Sequence, residues 1–165
     1  MIFRPKKTKD IPNIVIKIDN QILEIVKNTK FLGVIIDNGL TWKDHALMIS
    51  KKIVKTIGIL SLARRNLNQK TVIQLYYSFV YPYLNYCNLA WGNAPDTLWS
   101  IYRNQKIAIR IIANIPRISS SIAFCKTHKI LRLPEIYTQA AGLFMYKYKS
   151  GLLPAIFTNF FYEEY

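Results

Sequence analysis

Cationic side chains in rows are what this sequence offers first. Lys51, Lys52 and Lys55, with Arg64 and Arg65, form one set, and Arg103, Lys106 and Arg110 form another. At helical spacing each set falls along one side of a helix. No Asp or Glu is interleaved with them, whereas a merely solvated face mixes signs. Rows of this kind neutralise phosphates but do not read base edges. The chemistry they imply is binding of nucleic acid that ignores sequence and weakens with salt.

Catalytic groups are sparse by comparison. Two-metal phosphoryl or nucleotidyl transfer needs clustered carboxylates to hold its cations. The aspartates Asp10, Asp19, Asp37, Asp44 and Asp96 stand apart from one another, mostly at expected turns or helix caps. The candidate transition-metal ligands are His45, Cys87, Cys125 and His128. Cys125 and His128 are three apart, but no second pair has ligand spacing. Neither a glycine-rich phosphate loop nor a nucleophile elbow occurs. The expectation is therefore no catalytic residue, no metal site and no cofactor bound by this chain.

The composition agrees with a folded, basic protein. Of 165 residues 51% are hydrophobic and 19% charged, which favours a core over disorder. Lys and Arg number 23 against 9 Asp and Glu, a formal charge of +14. Such an excess repels itself unless an anionic partner is near, with nucleic acid first and an anionic membrane surface second. No signal peptide or membrane-length apolar run is visible, and two cysteines are too few for a disulfide framework. An intracellular protein, cytoplasmic or nuclear, with reduced thiols is expected.

The elements that must carry these residues follow from periodicity. Runs at 13–18 and 21–26 read as strands joined by an Asp19-Asn20 turn. The run 31–36 reads as a third strand of the same small antiparallel sheet, with residues 2–4 as a possible edge. Gly33 inside that strand suggests a bulge or a place where another backbone passes close by. Thr41 is expected to cap a helix, with Asp44 in the box position. Trp42, Ala46, Ile49, Ile53, Ile57 and Leu60 form its apolar stripe. A second helix spans about 71–81 before Pro82. A third spans about 96–113, with Leu98, Ile101, Gln105, Ala108 and Ile112 on its core face. Further helices cover 119–127 and 134–149, and the aromatic tail 157–165 has no evident partner. The aromatic run Tyr76 to Trp91 reads as core, because its spacing is helical. The fold class is α+β, mostly α: an N-terminal antiparallel sheet followed by a helical bundle.

Taken as an ordered series, these residues resemble a family. Lys30-Phe31-Leu32-Gly33-Val34-Ile35-Ile36-Asp37, then Leu40-Thr41-Trp42, His45 and Lys51-Lys52, are similar to the end of the palm and start of the thumb of LINE-type (non-LTR) retrotransposon reverse transcriptases. So are Leu75-Tyr76, Pro82 to Cys87, Ala90-Trp91-Gly92, Gln105-Lys106, Ala108-Ile109-Arg110 and Leu143 to Lys147. The resemblance implies that Phe31, Leu32 and Gly33 are a primer grip, and that the following helices lie against a template–primer duplex. It divides the chain into palm β-elements with the grip (1–38), a thumb-like bundle (39–116) and a post-thumb helical region (117–165). The family's metal-binding aspartates lie upstream of the matched part. Mg²⁺ is therefore expected only in the complete polymerase, and the missing palm and fingers are the expected protein partner. The alternative is a stand-alone basic helical module that binds RNA or protein without enzymatic activity.

Overall fold

A computed structural model describes residues 1–3, 15–157 and 160–161, with only the backbone described at 95–97. Asp10, Pro5, the start of the expected first strand and the end of the aromatic tail lie outside the described residues. Residues 1–3 form no strand.

Two separate two-stranded hairpins stand where one sheet was expected. In the first, β1 (Lys17–Ile18) pairs antiparallel with β2 (Gln21–Ile22) through Asp19 and Asn20, whose φ values are 46° and 65°. Asx side chains tolerate that left-handed region, which the type I′ turn requires. In the second, β3 (Asn28–Phe31) pairs with β4 (Val34–Asp37). The run 31–36 is thus not one strand. Phe31 pairs with Val34, and Leu32-Gly33 is the turn between them, with φ of 45° and 83°.

The bundle is built on one long helix, α1 (Lys43–Asn66). Its stripe falls as the spacing predicts: Ala46, Ile49, Ile53 and Leu60 are buried, and Trp42 and Ile57 pack against that core. The helix start does not follow the Thr41 expectation. Trp42 at the N-cap has φ 62° and no side-chain cap bond. Asp37, at the end of β4, instead holds the loop that leads into the helix, accepting from the backbone N–H of Gly39, Thr41 and Trp42 at 3.1, 2.9 and 2.8 Å. Asp44 accepts from Asn28 Nδ2 at 2.9 Å, which links the hairpin to the first turn of α1.

Helix α2 (Gln69–Phe79) is capped by Asn68, whose side chain accepts from the Thr71 N–H. The chain then breaks at Val80. Two short helices, α3 (Tyr81–Asn85) and α4 (Asn88–Trp91), lead to α5 (Pro95–Ala113). Helix α5 runs parallel to α1. Asn104 donates to Ser50 Oγ at 2.8 Å, while at the far end Arg110 and Asn114 share a cleft with Ser61 and Arg64. Ile101, Gln105, Ala108 and Ile112 are fully buried as expected, together with Ile109.

Helices α6 (Ile122–Thr127) and α7 (Leu133–Lys149) complete the bundle. Buried Gln105 ties them on. Its Nε2 donates to Tyr76 Oη at 3.0 Å and to Leu131 O at 2.9 Å, and its Oε1 accepts from Leu133 N–H at 2.8 Å. A Cβ on Gly92, at the end of α4, would sit 2.5 Å from Asn88 O of α4 itself and 2.7 Å from the Tyr137 ring of α7. The tail is not partnerless where it is described. Phe157 and Phe161 meet Phe144 edge-to-face, and Tyr148 Oη donates to Phe161 O at 3.0 Å. Among the described residues no helix is long and apolar enough to cross a membrane.

Candidate nucleic-acid interface

The tip of the second hairpin is apolar and projects into solvent: Phe31 is 62% and Leu32 73% exposed. A leucine at positive φ costs about 1–2 kcal/mol, so something must hold it. Tyr86, just after α3, donates its hydroxyl to Leu32 O at 2.6 Å. Gly33 is needed for its φ. A Cβ there would meet only the Tyr86 ring, at 3.7 Å, an ordinary contact, so among the described residues no other backbone crowds the position and the turn's φ accounts for the glycine.

Behind the tip lies a mostly apolar pocket of about 320 Å³, whose wall includes Leu32, Gly33, His45, Met48, Lys52 and Tyr83. Lys52 Nζ lies 4.9 Å from the centre of the Tyr83 ring, so one member of the α1 cation row is turned to this site. His45 is 2% exposed and packs edge-to-face on Trp91. Its Nδ1 accepts from Ile35 N–H at 3.2 Å, fixing the neutral ring with the proton on Nε2, which is buried with no partner among the described residues. Burial, and then the charge of Lys52, hold its pKa below the usual histidine value. Burial alone would raise the pKa of Asp37, but its backbone N–H donors outweigh that and hold the carboxylate low.

The other cations fall into different settings. Lys51 and Lys55 are exposed on the outer face of α1. The α5 row divides. Arg103 lies over the Trp99 ring at 5.4 Å and Lys106 over the Tyr102 ring at 4.6 Å, whereas Arg110 turns to the loop, its Nε donating to Ser119 O at 2.8 Å. Arg110 there joins Arg64, Arg65 and Arg117 around a cleft of about 720 Å³. Arg117 was not singled out from the sequence. It follows Pro116 outside any helix, so no periodic row could include it.

No family model, curated protein or solved structure matches the chain. Its chemistry is therefore carried by its own geometry. Among the described residues no three His, Cys, Asp or Glu side chains gather to hold a metal ion. Cys125 is buried and Cys87 exposed, and His128 stacks on Phe124 with ring centres 4.2 Å apart. What the fold does gather is one apolar hairpin tip with a lysine beside it, and one arginine cleft at the opposite end of α1.

Proposed function

We propose that this chain supplies the primer grip and thumb of a non-LTR reverse transcriptase, and that it holds a template–primer duplex without reading its sequence. The observation that carries this reading is a convergence. Leu32 and Gly33, His45, Lys52, and the Pro82 to Tyr86 segment are up to 54 residues apart, yet they line one pocket and are joined by the Tyr86–Leu32 hydrogen bond. These are the segments on which the family resemblance rests.

In this reading the polymerase's metal-binding carboxylates belong to another part of the enzyme. The chain's own share is positional. The rigid turn at Leu32-Gly33 presents Phe31 and Leu32 to the end of the primer, while Lys51, Lys52 and Lys55 meet phosphates. The exposed apolar side chains of the first hairpin, Ile18, Ile22 and Leu23 among them, suit a sheet that continues into a larger palm.

Fluorescence anisotropy with an RNA–DNA hybrid of arbitrary sequence tests this. Binding should be equal across sequences. Replacing Lys51, Lys52 and Lys55 together with Ala should make the slope of log affinity against log salt shallower by about 2–3 units, at roughly 0.9 per phosphate contact on B-form DNA. Phe31→Ser with Leu32→Ser should weaken binding to a recessed 3′ end more than to a blunt duplex. Binding that is absent, or indifferent to salt, would remove the reading.

A further inference from the structure

Apart from the duplex reading, we infer that the cleft between the C-terminal ends of α1 and α5 is a binding site for closely spaced phosphate groups. Three segments supply its cations: Arg64 and Arg65 from the last turn of α1, Arg110 from the last turn of α5, and Arg117 from the loop beyond. No Asp or Glu lines it. Among the described residues the one ion pair, Arg132 with Glu135, lies on α7.

Two of these arginines keep donors that no described residue accepts. Arg64 Nε is buried and has no hydrogen-bond partner among the described residues. A buried donor without an acceptor is costly, more so on a charged group. Arg110 uses its Nε on Ser119 O, which fixes the side chain while its terminal amino groups make no hydrogen bond to a described residue. The two helix C-termini at this end each contribute about half a negative charge, against four guanidiniums. The balance is a concentrated positive potential in want of an anion.

The form of the anion follows from the groups. A guanidinium fork matches the paired oxygens of phosphate, and several forks around one cleft match several phosphates in a row rather than one carboxylate. Ile57, Ile107, Ile111 and Ile115 supply the apolar part of the lining, beside which the guanidiniums stand. Consecutive phosphates of a nucleic-acid strand and a free polyphosphate share this chemistry.

Gly58 offers a way to test the site without dismantling it. It lines the cleft, and a Cβ on it would meet nothing within 4 Å. Any ordinary residue also suits a helix interior better than glycine. Gly58→Glu therefore sets a carboxylate among the arginines in a folded chain, and Gly58→Gln is its uncharged match. Titration of the full chain with pyrophosphate, by calorimetry, should show saturable binding. Gly58→Glu should weaken it by about tenfold or more, the scale of one charge-assisted hydrogen bond. Arg65→Ala with Arg117→Ala, both exposed, should do the same, while Gly58→Gln and Lys51→Ala with Lys55→Ala should change it little.

A labelled single-stranded oligonucleotide run in parallel identifies the source. Its affinity falling together with that of pyrophosphate assigns the cleft to a strand, and loss of pyrophosphate alone assigns it to a free polyphosphate. Either result supports the site. It is overturned if neither probe binds saturably, or if Gly58→Glu and the arginine pair bind both probes as the unaltered chain does. The duplex reading fails on a different result, loss of salt-sensitive hybrid binding with pyrophosphate binding intact.

Discussion

Replacing Gln105 with Met should cost this fold about 3–5 kcal/mol. The change keeps the length of the side chain and removes its amide. Three hydrogen bonds go with it, to Tyr76 Oη, Leu131 O and Leu133 N–H. At about 1 kcal/mol net for each, the direct loss is about 3 kcal/mol. The buried Leu133 N–H is then left without a partner, which adds about 1–3 kcal/mol. Extra apolar surface on Met returns about 1 kcal/mol. A domain of this size has only about 5–15 kcal/mol in all, so the variant should be marginal. Urea unfolding followed by Trp fluorescence would show a lower midpoint with an unchanged slope. Tyr76→Phe serves as the second arm, costing about 1 kcal/mol alone and little in the Gln105→Met background, since the shared bond is already gone. A Gln105→Met cost under about 1 kcal/mol, or strict additivity of the two changes, would refute the network.

Gly33→Val should destabilise the second hairpin by about 1–2 kcal/mol, because a β-branched residue is forced to positive φ, and Gly33→Asn should cost less than half as much. Equal losses, measured by amide exchange across β3 and β4, would show that φ is not the cause. Gly92→Ala should cost about 2 kcal/mol or more, because its Cβ meets Asn88 within α4 and the Tyr137 ring of α7, and an unchanged urea midpoint would contradict that crowding. The depressed pKa of His45 makes stability depend on pH. Below about pH 6.5 the unfolded chain takes up a proton that the folded chain resists. Stability should therefore be level above that pH and fall as the solution is made more acid, with Asp37 adding a further fall below about pH 4. His45→Asn keeps an acceptor for Ile35 N–H and should flatten the profile between pH 6.5 and 5; a persisting fall would assign it to another group.

Much of the architecture was legible because it is local. The Asp19-Asn20 turn, the α1 stripe and the core face of α5 each announce themselves within one element, by turn chemistry or by a 3.6-residue period. The features that were not legible depend on partners far along the chain. Phe31-Leu32-Gly33-Val34 reads as an unbroken strand, since leucine rarely occupies a left-handed turn position. What holds Leu32 there is the Tyr86 hydroxyl, 54 residues away. Thr41 does not cap α1 because the loop around it folds back on the Asp37 carboxylate, and single-residue cap rules do not see such a return. Arg64, Arg65 and Arg110 stand out in the sequence as members of two rows, but their meeting with Arg117 in one cleft joins two parallel helices and a loop, which no single-helix period shows. The α5 row kept its shared side, but Trp99 and Tyr102 engage two of its members and the 117–119 loop the third.

The parallel course of α1 and α5 has a kinetic consequence. Neighbouring helices joined by a short loop run in opposite directions, so a parallel pair can form only after the intervening chain has travelled back along the bundle. The Asn104–Ser50 contact closes a span of 54 residues, an entropic cost of about 3.5 kcal/mol that must be met before the central interface gives anything in return. During synthesis the apolar stripe of α1 therefore emerges long before its main cover. Until Ala113 has left the ribosome, Ile49, Ile53 and Leu60 depend on α2 and α3 for shelter. The chain should fold late and all at once, and a version cut short inside α5 should aggregate rather than persist as a smaller domain.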